Sequence, residues 1–129
     1  MSAMFTQHIS TSPENRRGDG QVSRLLLAPG QFGSRELAVT WVDAAPGSQQ
    51  PLHAHPESEQ VYVIVRGRGR MIVAGEEQEV EPGTLVFIPA GAEHAIRNDT
   101  TDDLTFVSAA SPPWDPPSGA FAYEPARAR

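Results

Sequence analysis

Short apolar runs, many of them alternating with polar residues, are punctuated by glycine and proline along most of this chain. The stretches at 60–66 (Q-V-Y-V-I-V-R) and 104–110 (L-T-F-V-S-A-A) have the two-residue side-chain period of an extended strand. The same reading predicts strands at 22–28, 36–43, 60–66, 70–74, 77–80, 84–88, 94–98 and 104–110. Turn signals at Pro29-Gly30, Pro46-Gly47, Gly67, Gly75, Pro82-Gly83 and Pro89 to Gly91 separate them. Short strands at near-regular spacing predict an all-β sandwich or barrel. No long stretch keeps a helical period, and twelve prolines would interrupt one. Ala74-Gly75 predicts a tight hairpin, because glycine accepts positive φ without strain.

A chain of 129 residues supports one hydrophobic core and is too short for two domains. We divide it into a polar N-terminal segment (1–20), a β-barrel domain (21–110) and a proline-rich C-terminal arm (111–129). The arm opens S-P-P-W-D-P-P-S-G, with Trp114 as its large anchor, and is expected to clamp the barrel rather than to form a substrate lid. No apolar run of signal-peptide or membrane-spanning length is present. The absence of cysteine excludes disulfides and thiolate metal sites, and the expected location is the cytoplasm.

A formal charge of −6 argues against nucleic-acid and anionic-membrane partners. All ten basic residues are arginine, so Schiff-base and lysine-nucleophile mechanisms are excluded. Arg66, Arg68 and Arg70 alternate with glycines and read as a turn with solvated charges. Glu76, Glu77, Glu79 and Glu81 read as a charged hairpin edge that discourages aggregation. There is no G-x-S-x-G elbow to support serine hydrolase chemistry.

Three of the four histidines fall in two short blocks framed by glycine. In the first, Gly47 precedes His53 and His55, and Gly67 follows. In the second, Gly83 precedes Pro89, Gly91, His94 and Asn98. On a strand, His53 and His55 would point to the same face, and His94 would close a third corner. Imidazole suits iron, copper, nickel, cobalt, zinc and manganese, whereas calcium and magnesium prefer oxygen donors. His8 has no such frame and is expected to bind nothing. A fourth ligand comes from Glu57, Glu59 or Gln60. If a strand covers 60–66, Gln60, Tyr62 and Ile64 share one face and Val61, Val63 and Val65 the other.

These two blocks resemble the cupin family over roughly residues 38–110. The second cupin motif (glycine, five residues, Pro-x-Gly, two residues, His, three residues, Asn) is matched at Gly83, Pro89, Gly91, His94 and Asn98. The first is matched at Gly47, His53, His55 and Gly67, with Gln60 where the family most often has Glu. Gln60 satisfies the spacing from both sides; Glu59, its possible substitute, fits only the gap from His55.

The resemblance implies a double-stranded β-helix, or jelly-roll barrel. It also implies one divalent transition metal per chain on His53, His55, Gln60 and His94. Iron is foremost, with manganese, nickel, cobalt, copper or zinc as alternatives. Gln60 cannot serve as a general base, so the site would act as a Lewis acid or as an open platform for an anionic, oxygen-chelating ligand. Similarity to three-histidine cupin dioxygenases gives the leading expectation: oxygenation of a small enol, β-dicarbonyl or phenolic substrate. The alternatives are a non-redox isomerase, decarboxylase, lyase or polyketide-type cyclase, or a non-catalytic small-ligand binder. Tyr62 is a candidate substrate contact or a core tyrosine, and Asn98 a structural partner. Val61, Val63, Val65 and Trp41 need cover from a second sheet or another subunit, and small cupins imply a homodimer.

Overall fold

The computed structural model describes residues 4–113; the expectations placed on the arm from Trp114 onward lie outside the described residues. The strands are β1 (Glu14–Arg16), β2 (Gln21–Leu27), β3 (Ala38–Ala44), β4 (Glu59–Arg66) and β5 (Gly69–Val73). They continue with β6 (Glu76–Val80), β7 (Leu85–Ile88), β8 (His94–Arg97) and β9 (Leu104–Ser111). A six-stranded sheet has the order β1-β2-β3-β9-β4-β7 and a three-stranded sheet the order β6-β5-β8. All pairings are antiparallel. The two sheets close an all-β jelly-roll barrel.

Each of the eight strands expected from alternation is present, with ends displaced by at most two residues. β1 is additional and lies within the segment read as polar. Its three residues, Glu14, Asn15 and Arg16, carry no apolar alternation, and pairing with Arg24, Ser23 and Val22 is what makes them a strand. The hairpin after β5 turns on Ala74 and Gly75 with φ of 50° and 86°, the two positive values a type I′ turn requires. Gly67, the closing glycine of the first motif, also has positive φ (80°), and a Cβ there would lie 2.1 Å from the Asp103 carbonyl oxygen.

Strand parity divides the six-stranded sheet into two unlike faces. Its inner face supplies Val42, Tyr62, Ile64, Leu104 and Phe106 to the core, where they meet Met71, Val80 and Ile96 from the smaller sheet. Phe106 is fully buried and stacks on Tyr62, with ring centroids 4.5 Å apart. Burying a side chain of that size contributes about 1.5–3 kcal/mol. The outer face carries two apolar rows across four strands: Phe87, Val61, Ala109 and Val39, then Leu85, Val63, Val107 and Trp41. Leu85 is 57% exposed and Phe87 50%. The smaller sheet covers only the opposite face. Arg24, Asp43, Arg66 and Thr105 border the apolar rows with a joined polar network.

Candidate metal centre

His53, His55 and His94 come together at one end of the barrel, and the ligand atoms they offer all lie within 4.8 Å of one another. The segment around Gln49 and His53 runs beside β8, held by isolated bridges from Gln49 to Arg97 and from His53 to His94. His53 and His94 exchange backbone hydrogen bonds of 3.1 and 2.8 Å. The expected strand through His53 and His55 is reduced to that bridge, because Pro51 and Pro56 deny it amide donors. The two imidazoles converge nevertheless, with ring centroids 5.4 Å apart. Gly91 N–H donates to the His55 carbonyl at 2.9 Å, so the turn after β7 steadies this loop.

The orientation of two rings is set through their inner nitrogens. His53 Nδ1 lies 2.8 Å from the Pro51 carbonyl oxygen, and His94 Nδ1 lies 3.0 Å from that of Ala92. A carbonyl oxygen only accepts, so each Nδ1 carries the proton and each Nε2 keeps its lone pair for the centre. Burial, reinforced by the neighbouring imidazole of His94, lowers the His53 pKa to about 4. Burial and then the charges of His53 and His94 lower that of His55 to about 4. Burial also lowers that of His94. All three rings are therefore neutral near pH 7, the state a metal ligand must have.

Gln60 is 3% exposed and faces the interior, while Glu59 is exposed on the other face. The Gln60 amide donates from Nε2 to Ser108 Oγ at 2.7 Å, which leaves its Oε1 buried without a hydrogen-bond partner. His94 Nε2 is in the same condition. The unpartnered buried Oε1 of Gln60 and Nε2 of His94 are costly unless a cation completes them. The donor set, imidazoles plus an amide oxygen, fits a divalent transition metal.

Tyr62 lies behind the imidazoles, edge-on to His94 at 5.9 Å, and its hydroxyl donates to Gln50 Oε1 at 3.3 Å. Burial raises its pKa to about 12, so it remains a neutral donor. Asn98 caps the end of β8: its Nδ2 donates to the Ala44 and Asp102 carbonyls, and its Oδ1 accepts from Thr100. His8 bonds locally with Ser10 in the N-terminal segment. Sequence reasoning missed Ser108 and Gln50. Ser108 had left a signal as the polar residue between Phe106 and Ala110 on the inward parity of β9.

A cavity of about 500 Å³ opens between the edges of β6 and β7, with Met71, Val73, Val80, Val86 and Phe87 among its walls. The histidines do not line it. It approaches them through strand neighbours, since Val73 pairs with His94 and Val86 with Tyr62.

A small antiparallel barrel with inward histidines at one end defines the class, and comparison with known proteins gives the family. Residues 40–110 match the family model described as the cupin domain, and the chain belongs to the cupin family. An uncharacterized protein of Methanocaldococcus jannaschii is 32% identical over 96 residues, covering 74% of this chain and 77% of that protein. The tetracenomycin polyketide synthase protein TcmJ of Streptomyces glaucescens is 30% identical over 89 residues, covering 69% of this chain but only 58% of TcmJ. A crystal structure of a predicted oxalate decarboxylase from Thermotoga maritima superposes with a TM-score of 0.76 at 21% identity. That match covers 83% of this chain and 98% of the other.

Proposed function

We propose that this cupin holds one divalent transition metal on His53, His55, His94 and Gln60. With it the protein carries out non-redox chemistry on a small enol, β-dicarbonyl or phenolic compound, as an isomerase, decarboxylase, lyase or polyketide-type cyclase. The observation that carries this reading is the cluster of three neutral imidazoles at the barrel end, with the buried Gln60 Oε1 left without a hydrogen-bond partner. An ion bound there would supply Lewis acidity undiminished by any carboxylate ligand. The remaining tasks fall to the protein. Ser108 turns the Gln60 oxygen inward, Pro51 and Ala92 hold the imidazole tautomers, and burial limits water. Similarity to TcmJ, named for a polyketide synthase, supports keeping polyketide-type chemistry among these readings.

The dioxygenase reading uses the same donors with iron and dioxygen. Replacing the native metal in turn with iron and zinc, and following acetoacetate loss to acetone and carbon dioxide together with oxygen uptake, separates the readings. The proposal expects zinc protein to act on the β-keto acid without oxygen uptake. Turnover confined to iron and coupled to oxygen would establish the oxygenase instead. Ligand binding without turnover by any metal form would leave a binding module.

The outer face of the six-stranded sheet is the place where a second copy of the chain would dock. Two apolar rows on one flat face, bordered by charges that are already paired among themselves, suit a two-fold partner presenting the same surface. Light scattering should give about twice the chain mass of 13.9 kDa. The Leu85→Glu/Phe87→Glu double variant should give the single mass, and a monomeric unsubstituted protein would refute the dimer. We also place the protein in the cytoplasm, in keeping with its lack of cysteine.

A further inference from the structure

Gln50 stands three residues before His53, is 5% exposed, and uses its side-chain amide in three directions. Between the two bridges that join its segment to β8 there are four steps on one side (Gln49 to His53) and three on the other (Arg97 to His94). That extra residue is a bulge. Gln50 N–H donates to the Ile96 carbonyl at 3.1 Å, as a regular antiparallel pair would. The return bond is irregular: Ile96 N–H donates at 3.0 Å to the side-chain Oε1 of Gln50. The side chain thus supplies the acceptor that the ladder lacks. The same Oε1 accepts the Tyr62 hydroxyl, and Nε2 donates to Gln21 Oε1 at 3.2 Å. Just past the bulge, the Pro51 carbonyl is the one that receives His53 Nδ1.

We propose that Gln50 is a positioning residue for the metal centre. It plugs the bulge so that the Pro51 carbonyl reaches His53, and it fixes the Tyr62 ring against His94. The proposal rests on the metal-centre reading for its consequence, though not for its geometry. Loss of the Gln50 acceptor leaves two buried donors, Ile96 N–H and Tyr62 O–H, to seek other partners, and the segment bearing His53 must shift to serve them.

Two variants separate hydrogen bonding from packing. Gln50→Met keeps the length of the side chain and removes its amide. Gln50→Glu keeps the acceptor, and Gln21 can turn its amide to offer Nε2, which is buried without a partner. Cobalt(II) is the probe. For Gln50→Met, cobalt affinity should fall about 10–100-fold with a changed visible spectrum, as for other residues that orient metal ligands. In the metal-free variant the ring nitrogen resonances of His53 and His94 should move and Ile96 amide exchange should quicken. Gln50→Glu should restore both. If a folded Gln50→Met matches the unsubstituted protein in affinity, spectrum and ring resonances, the proposal is overturned. If the unsubstituted protein takes up no cobalt, the metal reading fails by itself, and the metal-free ring resonances still decide on Gln50. Should Gln50→Met not fold, Gln21→Met carries the test: it releases Gln50 Nε2 while keeping the Ile96 acceptor. Cobalt affinity should then fall severalfold, and an unchanged value would overturn the proposal.

Discussion

The two ends of the barrel interior are built from the same strands and solve opposite problems. At one end β3, β4 and β9 send in Val42, Ile64, Phe106 and Leu104, which bury apolar surface against Met71 and Ile96. One or two strand rows away, the same strands send in Thr40, Ser108, Gln60 and the small residues Ala38 and Ala110. The first end satisfies itself on folding. The second buries neutral polar atoms, two of them without partners, and its histidines are held uncharged by burial. The contrast teaches that the apolar end supplies stability, which the site end draws on while it waits for a ligand.

Substitutions at the two ends should therefore part company. Phe106→Ala should lower stability by about 3–5 kcal/mol in a denaturant titration, with or without metal, because it opens a cavity in the closed core. His94→Ala should lower metal affinity by two orders of magnitude or more in a competition titration, yet leave the metal-free protein folded. If His94→Ala lowered the stability of the metal-free chain as much as Phe106→Ala, the two ends would not differ in kind.

Acid sharpens the same contrast. His53 and His55 have folded pKa values of about 4 against an ordinary value of 6.5, so between those limits the unfolded chain binds more protons. Stability of the metal-free protein should therefore fall as pH drops from about 6.5 to about 4, and metal should be released toward the lower end of that range, where the folded histidines begin to take up protons. Thermal unfolding at several pH values checks this. A midpoint that does not change over that window would show that the histidines are not buried neutral.

The smallest effects lie on β4, where neighbouring residues face opposite ways. Gln60→Ala should weaken metal binding about tenfold without abolishing it, since three imidazoles remain. Gln60→Glu should bind more tightly, because a carboxylate adds charge. Glu59→Ala should change metal content and stability by little, within about 0.5 kcal/mol. Calorimetric titration of the three variants checks the order. Loss of metal in Glu59→Ala with none in Gln60→Ala would reverse the assignment.

Much of this was legible before any coordinates. Alternation exposed the strands from β2 to β9, and framed spacing exposed His53, His55 and His94. Parity turned Gln60 inward and Glu59 outward, as the barrel has them. β1 was hidden, since its residues become a strand only through pairing with β2. Ser108 and Gln50 were hidden for a related reason. Ser108 meets Gln60 across 48 positions of sequence and Gln50 meets Ile96 across 46, so their roles depend on sheet register. A bulge leaves no mark in a hydrophobic pattern, and the one before His53 could not be read there.

The central claim is that the barrel end is a metal centre, and the metal content of protein purified without a histidine tag tests it most directly. Elemental analysis after growth with transition metals should give one divalent transition metal per chain, and the His94→Ala protein should give almost none. Full occupancy by calcium or magnesium, or no metal after supplementation, would contradict the account.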